Sequence, residues 1–471
     1  MKIGLEIHVQ LTTQTKLFCG CQNSFSERPN AQTCDYCIGL PGTKPRLNEK
    51  AVEYAIKIGS ALVCKFAKET FFSRKTYFYP DMGKNYQITQ YEVPIAESGH
   101  VVVGNRSITI ERINLEEDPA RIVHVNAYDG SGRPSASITN AEYMLLDYNR
   151  SGTPLCEIVT APEFSTAREC RLFLQNLSSV LQYLGVYDPD VEGSMRVDAN
   201  ISLSNARVEV KNISGFREVE RALTYEIIRQ KNMLRGGKII ARETRAWDAD
   251  AGVTRSLRTK ETEEDYGYIF EADLPRITLT KERIRKIKKA IPELAEEKLD
   301  RYVKKMKIGY DLAVSITSDP DVAAMFEEVI KKADTQLAAK WFAGEIKKTL
   351  NYNSMRLKDT QLKAGHIIKL LELVKDKKLT EQTAEIIFRE MISRPEDPEI
   401  LLNKESVERI YSEDILEPIV KESLDENPNA IIDYKSGKKE AMNFLIGSVM
   451  KKTRSRADSE TVRRILQRYL K

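Results

Sequence analysis

The sequence predicts an α+β protein, with a strand-bearing N-terminal portion followed by a helical one. Three observations carry that expectation. Apolar and polar residues alternate in short stretches through the first ~275 residues, a span typical of one large or two fused domains. Gly and Pro thin out after Pro275, where the pattern becomes helical and rich in Lys, Glu and Leu. The two prolines of RPEDPEI, residues 394–400, then interrupt the helical part. The expected organisation is a strand-bearing domain over 1–290 with a cysteine loop at 19–37, a helical domain over 291–400 and a C-terminal tail domain over 401–471.

The elements follow in chain order. Period-two alternation predicts strands at Ile3–Leu11, Ser107–Leu115, Met195–Leu203 and Arg207–Asn212. Asn48 is placed to cap a helix through AVEYAIKIGSALVC. Thr166 and Glu169 have capping-box spacing ahead of RLFLQNLSSVLQYL, and Gly185 is placed to end that helix. There is no internal repeat and no low-complexity tract.

Composition narrows the class. Hydrophobic residues at 41% and charged residues at 30% describe a folded, well-solvated chain. No stretch approaches ~18 consecutive apolar residues, and MKIGLEIHVQL lacks a signal-peptide core, so a cytoplasmic enzyme is expected. A net charge of +4 is too small to make the whole chain a polyanion binder. The segment 435–471, however, carries eleven Lys/Arg against three Asp/Glu. Most such runs are solvated helix faces; a basic tail that touches phosphates is the sharper reading.

Residues two apart share a strand face. In the first strand Leu5, Ile7, Val9 and Leu11 oppose Glu6, His8 and Gln10. In RVDANISL the polar face is Arg196, Asp198, Asn200 and Ser202; in VEVKN it is Glu209 and Lys211; RINLEED groups Arg112, Asn114 and Glu116. A sheet with one face in water also alternates. Here, though, carboxylates, an imidazole, amides and cations recur near strand centres, as a cleft for a metal and an anion requires. Magnesium takes carboxylate oxygens, which makes Glu6, Glu116, Glu117, Asp198 and Glu209 candidate ligands, with His8 a borderline one. Lys75, Lys84, Arg112, Arg196 and Lys211 could neutralise charge in phosphoryl transfer. There is no GxxxxGK[ST] loop, no GxSxG elbow and no HExxH, so a nucleotide would be held without a common phosphate loop.

Four of the seven cysteines, Cys19, Cys21, Cys34 and Cys37, crowd into one short loop. Four thiolates suit a tetrahedral, structural zinc better than a disulfide framework. Cys64, Cys156 and Cys170 lie in apolar surroundings and read as core.

Together, GLEIHVQL, KLFCGC with CDYCIGLPG, RKTYFYPDMGKNYQITQYEVPI, INLEEDPAR, LLDYNRSGTPLCEIVTAPEF, EGSMRVDANISL and VEVKNISGFREVERAL resemble the B subunit of the tRNA-dependent aspartyl/glutamyl amidotransferase. The likeness continues through ETRAWDADAGVTRSLRTKETEEDYGYIFEADLP, LAAKWFAGEI and NPNAIIDYKSGKKEAMNFLIGSVMKKTRSRAD, so it covers nearly the whole chain. It implies a cradle domain like the catalytic fold of glutamine synthetase, an antiparallel sheet with its site on the open polar face. It also implies ATP- and magnesium-dependent phosphorylation of the side-chain carboxylate of Glu-tRNA(Gln) or Asp-tRNA(Asn). Ammonia from a glutaminase A subunit would then displace the phosphate, with a small C subunit completing a heterotrimer and the tail binding tRNA.

By the same resemblance, magnesium falls to Glu6, His8 and Glu116. The acidic turn is Glu116, Glu117 and Asp118, with Glu116 favoured as ligand because it shares a face with Arg112; the strand faces, not the resemblance, add Asp198, Glu209 and Lys211 to the catalytic set. Lys75, Tyr79, Asp81 and Lys84 fall in the nucleotide-side loop and the four cysteines on the zinc site, while Arg112 and Arg196 are assigned to the nucleotide from their strand faces alone. One stretch departs: DYGYIF lacks the family's arginine at its third position and a closing Phe-Pro, so no role is carried to Tyr266–Phe270. The larger subunit of the archaeal two-subunit, glutamate-only enzyme carries an inserted domain after its cradle, whereas here ADLPRITLTKERIRK runs straight into helical sequence. The alternative to an enzyme is a non-catalytic, zinc-containing tRNA-binding scaffold.

Overall fold

A computed structural model of the chain describes residues 1–471 except 25, 27, 105, 127–140, 205, 260–266, 406–411, 436–439, 454–456 and 471. The chain divides into two compact units, Met1–Leu294 and Ala295–Lys471.

In the first unit the alternating segments become strands close to their expected limits: Lys2–Gln10, Arg106–Glu117, Met195–Ser202 and Val208–Ser214. Among the described residues they belong to a sheet of twelve strands. Its central run is Val208–Ser214, Met195–Ser202, Lys2–Gln10, Pro154–Thr160 and Arg106–Glu117, all antiparallel. The expectation of a purely antiparallel sheet needs one correction, because Val208–Ser214 runs parallel to its outer neighbour Glu243–Asp248. The helix Phe216–Arg235 is the crossover between those two strands, the connection a parallel pair requires.

Alternation decides which face is covered. Ile3, Leu5, Ile7 and Val9 are buried in one core with Val197, Ala199 and Ile201. The helices Glu49–Ala61, Ala167–Tyr183 and Phe216–Arg235 contribute Ile56, Leu174 and Leu223 to the same core. Asn48 caps the first helix by accepting from Lys50 N at 2.9 Å, and Thr166 and Glu169 form the reciprocal box on the second. Gly185, at φ +65°, follows the C-terminus of that helix, as its sequence position indicated. Cys156 and Cys170 are buried and Cys64 is partly buried. The other face of the sheet is left to the polar side chains.

The described elements of the second unit are helical. One π-helical turn, Phe342–Ile346, interrupts the LAAKWFAGEI segment. Leu416, Val420, Leu445, Val449, Val462, Ile465 and Leu466 form a separate small core near the C-terminus. Helices built from 428 onward therefore carry much of the tail's packing. Much of the basic run lies outside the described residues or has side chains that are not described. Of its described members, Lys452 pairs with Glu422 and Glu426, and Arg464 and Arg468 pair with Glu413. No described helix is long and apolar enough to cross a membrane.

Candidate active site

Strand register assembles the site. Glu6 sits opposite Asp198, and His8 sits between Glu157 on one side and Arg196 on the other. Asn114 lies opposite Glu157, and Glu116 opposite Leu155. The polar side chains of four strands thus meet over the sheet centre, in a cleft of about 500 Å³ that Lys75, Tyr77, Tyr79 and Lys211 also line.

The cleft floor is a carboxylate–imidazole cluster. His8 Nε2 is 3.3 Å from Glu116 Oε1 and 3.8 Å from Glu6 Oε1. Donor atoms of Glu6, His8 and Glu157 all lie within 4.8 Å of one another. Asn114 Nδ2 donates to Glu157 Oε2 at 2.5 Å, while Asn114 Oδ1 is buried without a hydrogen-bond partner. Burial and the neighbouring charges of Glu157 and Asp198 push the Glu6 carboxyl up to about 7. Burial opposes the charged form of His8, but the hydrogen bond and charge of Glu116, with Glu6 and Glu157, hold its pKa up at about 10. So crowded a set of acids demands positive charge at its centre. Without a metal, protonated His8 supplies part of that charge. A hard divalent cation could take its place once the imidazole gives up its proton, with Glu6, His8 and Glu157 as the donors.

Beside this cluster Lys211 Nζ lies 3.2 Å from Asp198 Oδ2 and 3.6 Å from Glu209 Oε1. An irregularity in the pairing between Val197 and Ala199, with Asn212 at φ +55°, lets Asn212 N donate to Asp198 Oδ1 at 2.7 Å. Burial works against the Asp198 carboxylate, but the charges of Lys211 and His8 more than offset it and lower its pKa. Arg196 is held at 2.7 Å by Asp118, which Arg150 also approaches at 3.6 Å.

Several of the residues singled out by sequence do not line this cleft. Glu117 follows Glu116 on the strand and so points the opposite way. Its carboxylate takes Lys84 Nζ at 2.8 Å, Ile88 N at 2.9 Å and Tyr36 Oη at 3.3 Å. Lys84 is therefore the partner of a buried carboxylate, not part of the cleft wall. Arg112 shares a face with Glu116 but does not line the cleft. Glu209 is buried, near Thr244 Oγ1 at 3.3 Å, and acts on the cleft through Lys211. Asp81 is buried at the loop base, where its backbone carbonyl accepts from Ala120 N. Lys75 and Tyr79 do line the cleft. Tyr266 lies outside the described residues; Tyr268 stacks on Tyr91 at 3.8 Å between ring centroids. Glu157 is the residue that sequence reasoning misses. Its signal is the single acid in PLCEIVT, masked by Leu155 and Val159 on the same face.

The cysteine loop holds a different donor set. Cys37 Sγ lies 3.6 Å from Cys19 Sγ and 3.8 Å from Cys34 and Cys21. Bonds of about 2.3 Å to a central metal give a tetrahedral edge of about 3.8 Å, so the four sulfurs fit one ion. The hydrogen bond from Cys19 and the ammonium of Lys16 bring the Cys37 thiol down to about 4, while burial pushes Cys21 up to about 11. Lys16, fully buried, reaches Cys37 Sγ at 3.3 Å and the carbonyls of Gln32 and Tyr148.

Residues 1–285 match the family model described as the GatB/GatE catalytic domain. The chain belongs to this family. Residues 324–470 match a second model, described as the GatB domain. Among similar curated proteins is the B subunit of the aspartyl/glutamyl-tRNA(Asn/Gln) amidotransferase of Haloarcula marismortui, 41% identical over 99% of this chain and 97% of the relative. Its namesake from Saccharolobus solfataricus is 42% identical over 100% and 99%, and that from Thermotoga maritima 40% identical over 99% and 98%. The α+β architecture agrees with family membership, and both domain models fall within the extents of the two compact units.

Proposed function

We propose that this chain is the ATP-dependent, amide-forming subunit of an aminoacyl-tRNA amidotransferase. It would transfer the γ-phosphoryl of ATP to the side-chain carboxylate of Glu-tRNA(Gln) or Asp-tRNA(Asn), giving ADP and an acyl phosphate. Ammonia would then displace phosphate to leave the amide. The observation that carries this reading is the convergence of Glu6, His8 and Glu157 donor atoms within 4.8 Å, next to Lys211, in a chain whose full-length relatives bear that name.

Magnesium would be held by Glu6, His8 and Glu157, with Glu116 beside them, and when bound it neutralises phosphate charge. Lys211, anchored by Asp198 and Glu209, places an ammonium where phosphoryl oxygens gain charge; because it is fixed beforehand, little reorganisation accompanies reaction. Asp198, kept ionised, holds Lys211 in place rather than taking a proton itself. Arg196, tethered by Asp118, lends a second fixed cation to the cleft. Lys75, Tyr77 and Tyr79 wall the cleft where the nucleotide would lie.

The four-cysteine cluster is best suited to zinc, because four thiolates leave no open position and the sulfur spacing matches its bond length. A glutaminase A subunit supplies ammonia in this reading and a C subunit completes the heterotrimer, working in the cytoplasm with the tail domain on tRNA. The scaffold alternative is disfavoured, since a scaffold has no use for a cluster of acids and a lysine fixed between two of them at the sheet centre. The test is release of labelled phosphate from the γ-position of ATP by the assembled enzyme, dependent on mischarged tRNA. Release is expected with Glu-tRNA(Gln) or Asp-tRNA(Asn) and not with correctly charged tRNA; its absence with both would overturn the enzymatic role.

A further inference from the structure

A second cavity, of about 380 Å³, opens beside the cleft and shares Arg196 with it. Its walls come from the segments at 121, 147–150 and 188–196, and from the loop after the first strand. Three guanidinium groups reach it, from Arg121, Arg150 and Arg196, and so do two acids of the 188–192 segment, Asp188 and Glu192. Amides and hydroxyls of Gln10, Asn23, Ser24 and Asn149 fill the lining between them. The arginines feel one another: burial, together with the charges of Arg196 and Arg121, lowers the Arg150 pKa despite Asp118 beside it.

Cavity and cleft are parted by the Arg196–Asp118 pair, in which Asp118 also accepts from Gln10 Nε2 at 3.2 Å. Phosphoryl transfer needs the attacking carboxylate oxygen about 3–3.5 Å from phosphorus and roughly in line with the leaving oxygen. The acceptor must therefore bind in a space that borders the phosphate cleft, and this cavity borders it at Arg196. Its mixed charge also selects among ligands. Free polyphosphate, wholly anionic, would meet repulsion from Asp188 and Glu192, whereas an aminoacylated nucleotide carries an ammonium, ribose hydroxyls and a phosphate.

We propose that this cavity is the acceptor subsite, which seats the aminoacyl-nucleotide end of the substrate and directs its side-chain carboxylate past Arg196 into the cleft. The assignment rests on the functional reading above and adds the residues that bind the second substrate. Arg121 supplies the phosphate contact, and Glu192 faces the α-ammonium.

The experiment measures binding of a non-hydrolysable probe, 3′-(L-glutamylamino)-3′-deoxyadenosine 5′-monophosphate, to the assembled enzyme. Arg121→Ala and Glu192→Arg are compared with the parent, with ATP binding measured in parallel. Both residues are exposed, so both variants should fold. Each is expected to weaken the probe by about tenfold, the scale of one lost charge-assisted hydrogen bond, with ATP affinity unchanged. Equal probe affinity in parent and both variants overturns the subsite. So does displacement of the probe by ATP alone, which would put the probe in the cleft. If the parent transfers phosphate on mischarged tRNA while the variants bind the probe normally, the subsite fails and the function stands; absence of transfer in the parent overturns both.

Discussion

The cleft and the cysteine loop are both clusters of ligand-type side chains, and they are built in opposite ways. The loop draws four soft sulfurs from nineteen consecutive residues, Cys19 to Cys37, and brings them to the edge length of a tetrahedron. The cleft draws hard oxygens and one imidazole from the strands Lys2–Gln10, Arg106–Glu117, Pro154–Thr160 and Met195–Ser202, and leaves its centre open. A closed site suits stabilisation, because every coordination position is filled by protein. An open one suits chemistry, because substrate oxygens can join the shell. The two are mechanically linked: Tyr36 of the loop donates to Glu117, the residue next to Glu116 of the cleft.

That contrast can be broken in order of expected effect. Glu6→Ala and Glu157→Ala should lower tRNA-dependent amide formation by about 10²–10³-fold while leaving the unfolding midpoint nearly unchanged. Steady-state amidation with the partner subunits measures it, and full activity in Glu157→Ala would remove that residue from the ligand set. Cys37→Ser should do the reverse, releasing the bound metal and costing about 4 kcal/mol or more of stability. Metal analysis alongside denaturant unfolding checks this; a variant that keeps its metal and its midpoint contradicts a structural role for the cluster.

Lys84→Met probes the link between the regions. It strands the Glu117 carboxylate in a buried position and should cost about 3 kcal/mol, the typical result of removing one partner of a buried pair. If activity falls while stability does not, Lys84 serves the reaction rather than the scaffold. The smallest effect is one of pH. A Glu6 carboxyl raised from 4.5 to about 7 binds its proton more tightly in the folded chain. Its contribution is complete below pH 4.5 and is lost as pH rises through about 7. Metal-free protein should therefore lose some stability across that window, Glu6→Gln should flatten the profile, and magnesium should stabilise most at its upper end. An identical profile in Glu6→Gln would argue against this origin.

Much of the site can be read from alternation. Period two alone places Glu6, His8, Arg196, Asp198 and Lys211 on polar faces, and the structure brings them together. The errors share a cause as well. Adjacent acids on a strand face opposite ways, so Glu116 enters the cleft and Glu117 leaves it for Lys84 and Tyr36. Glu157 escapes notice because a strand buried at the sheet centre carries Leu155 and Val159 on its polar side.

The sequence by itself determined the alternating strands at Lys2–Gln10, Arg106–Glu117, Met195–Ser202 and Val208–Ser214, the caps at Asn48 and Thr166, and the cysteine cluster, because alternation, capping and ligand spacing act over a few residues. Only the tertiary structure decided that the first strand lies between Pro154–Thr160 and Met195–Ser202, which are far from it in the chain. That pairing sets Glu6 opposite Asp198 and His8 between Glu157 and Arg196. A one-residue slip in either pairing would turn those side chains to the other face, so the site depends on a register that burial of Ile3, Leu5, Ile7 and Val9 against the helices enforces.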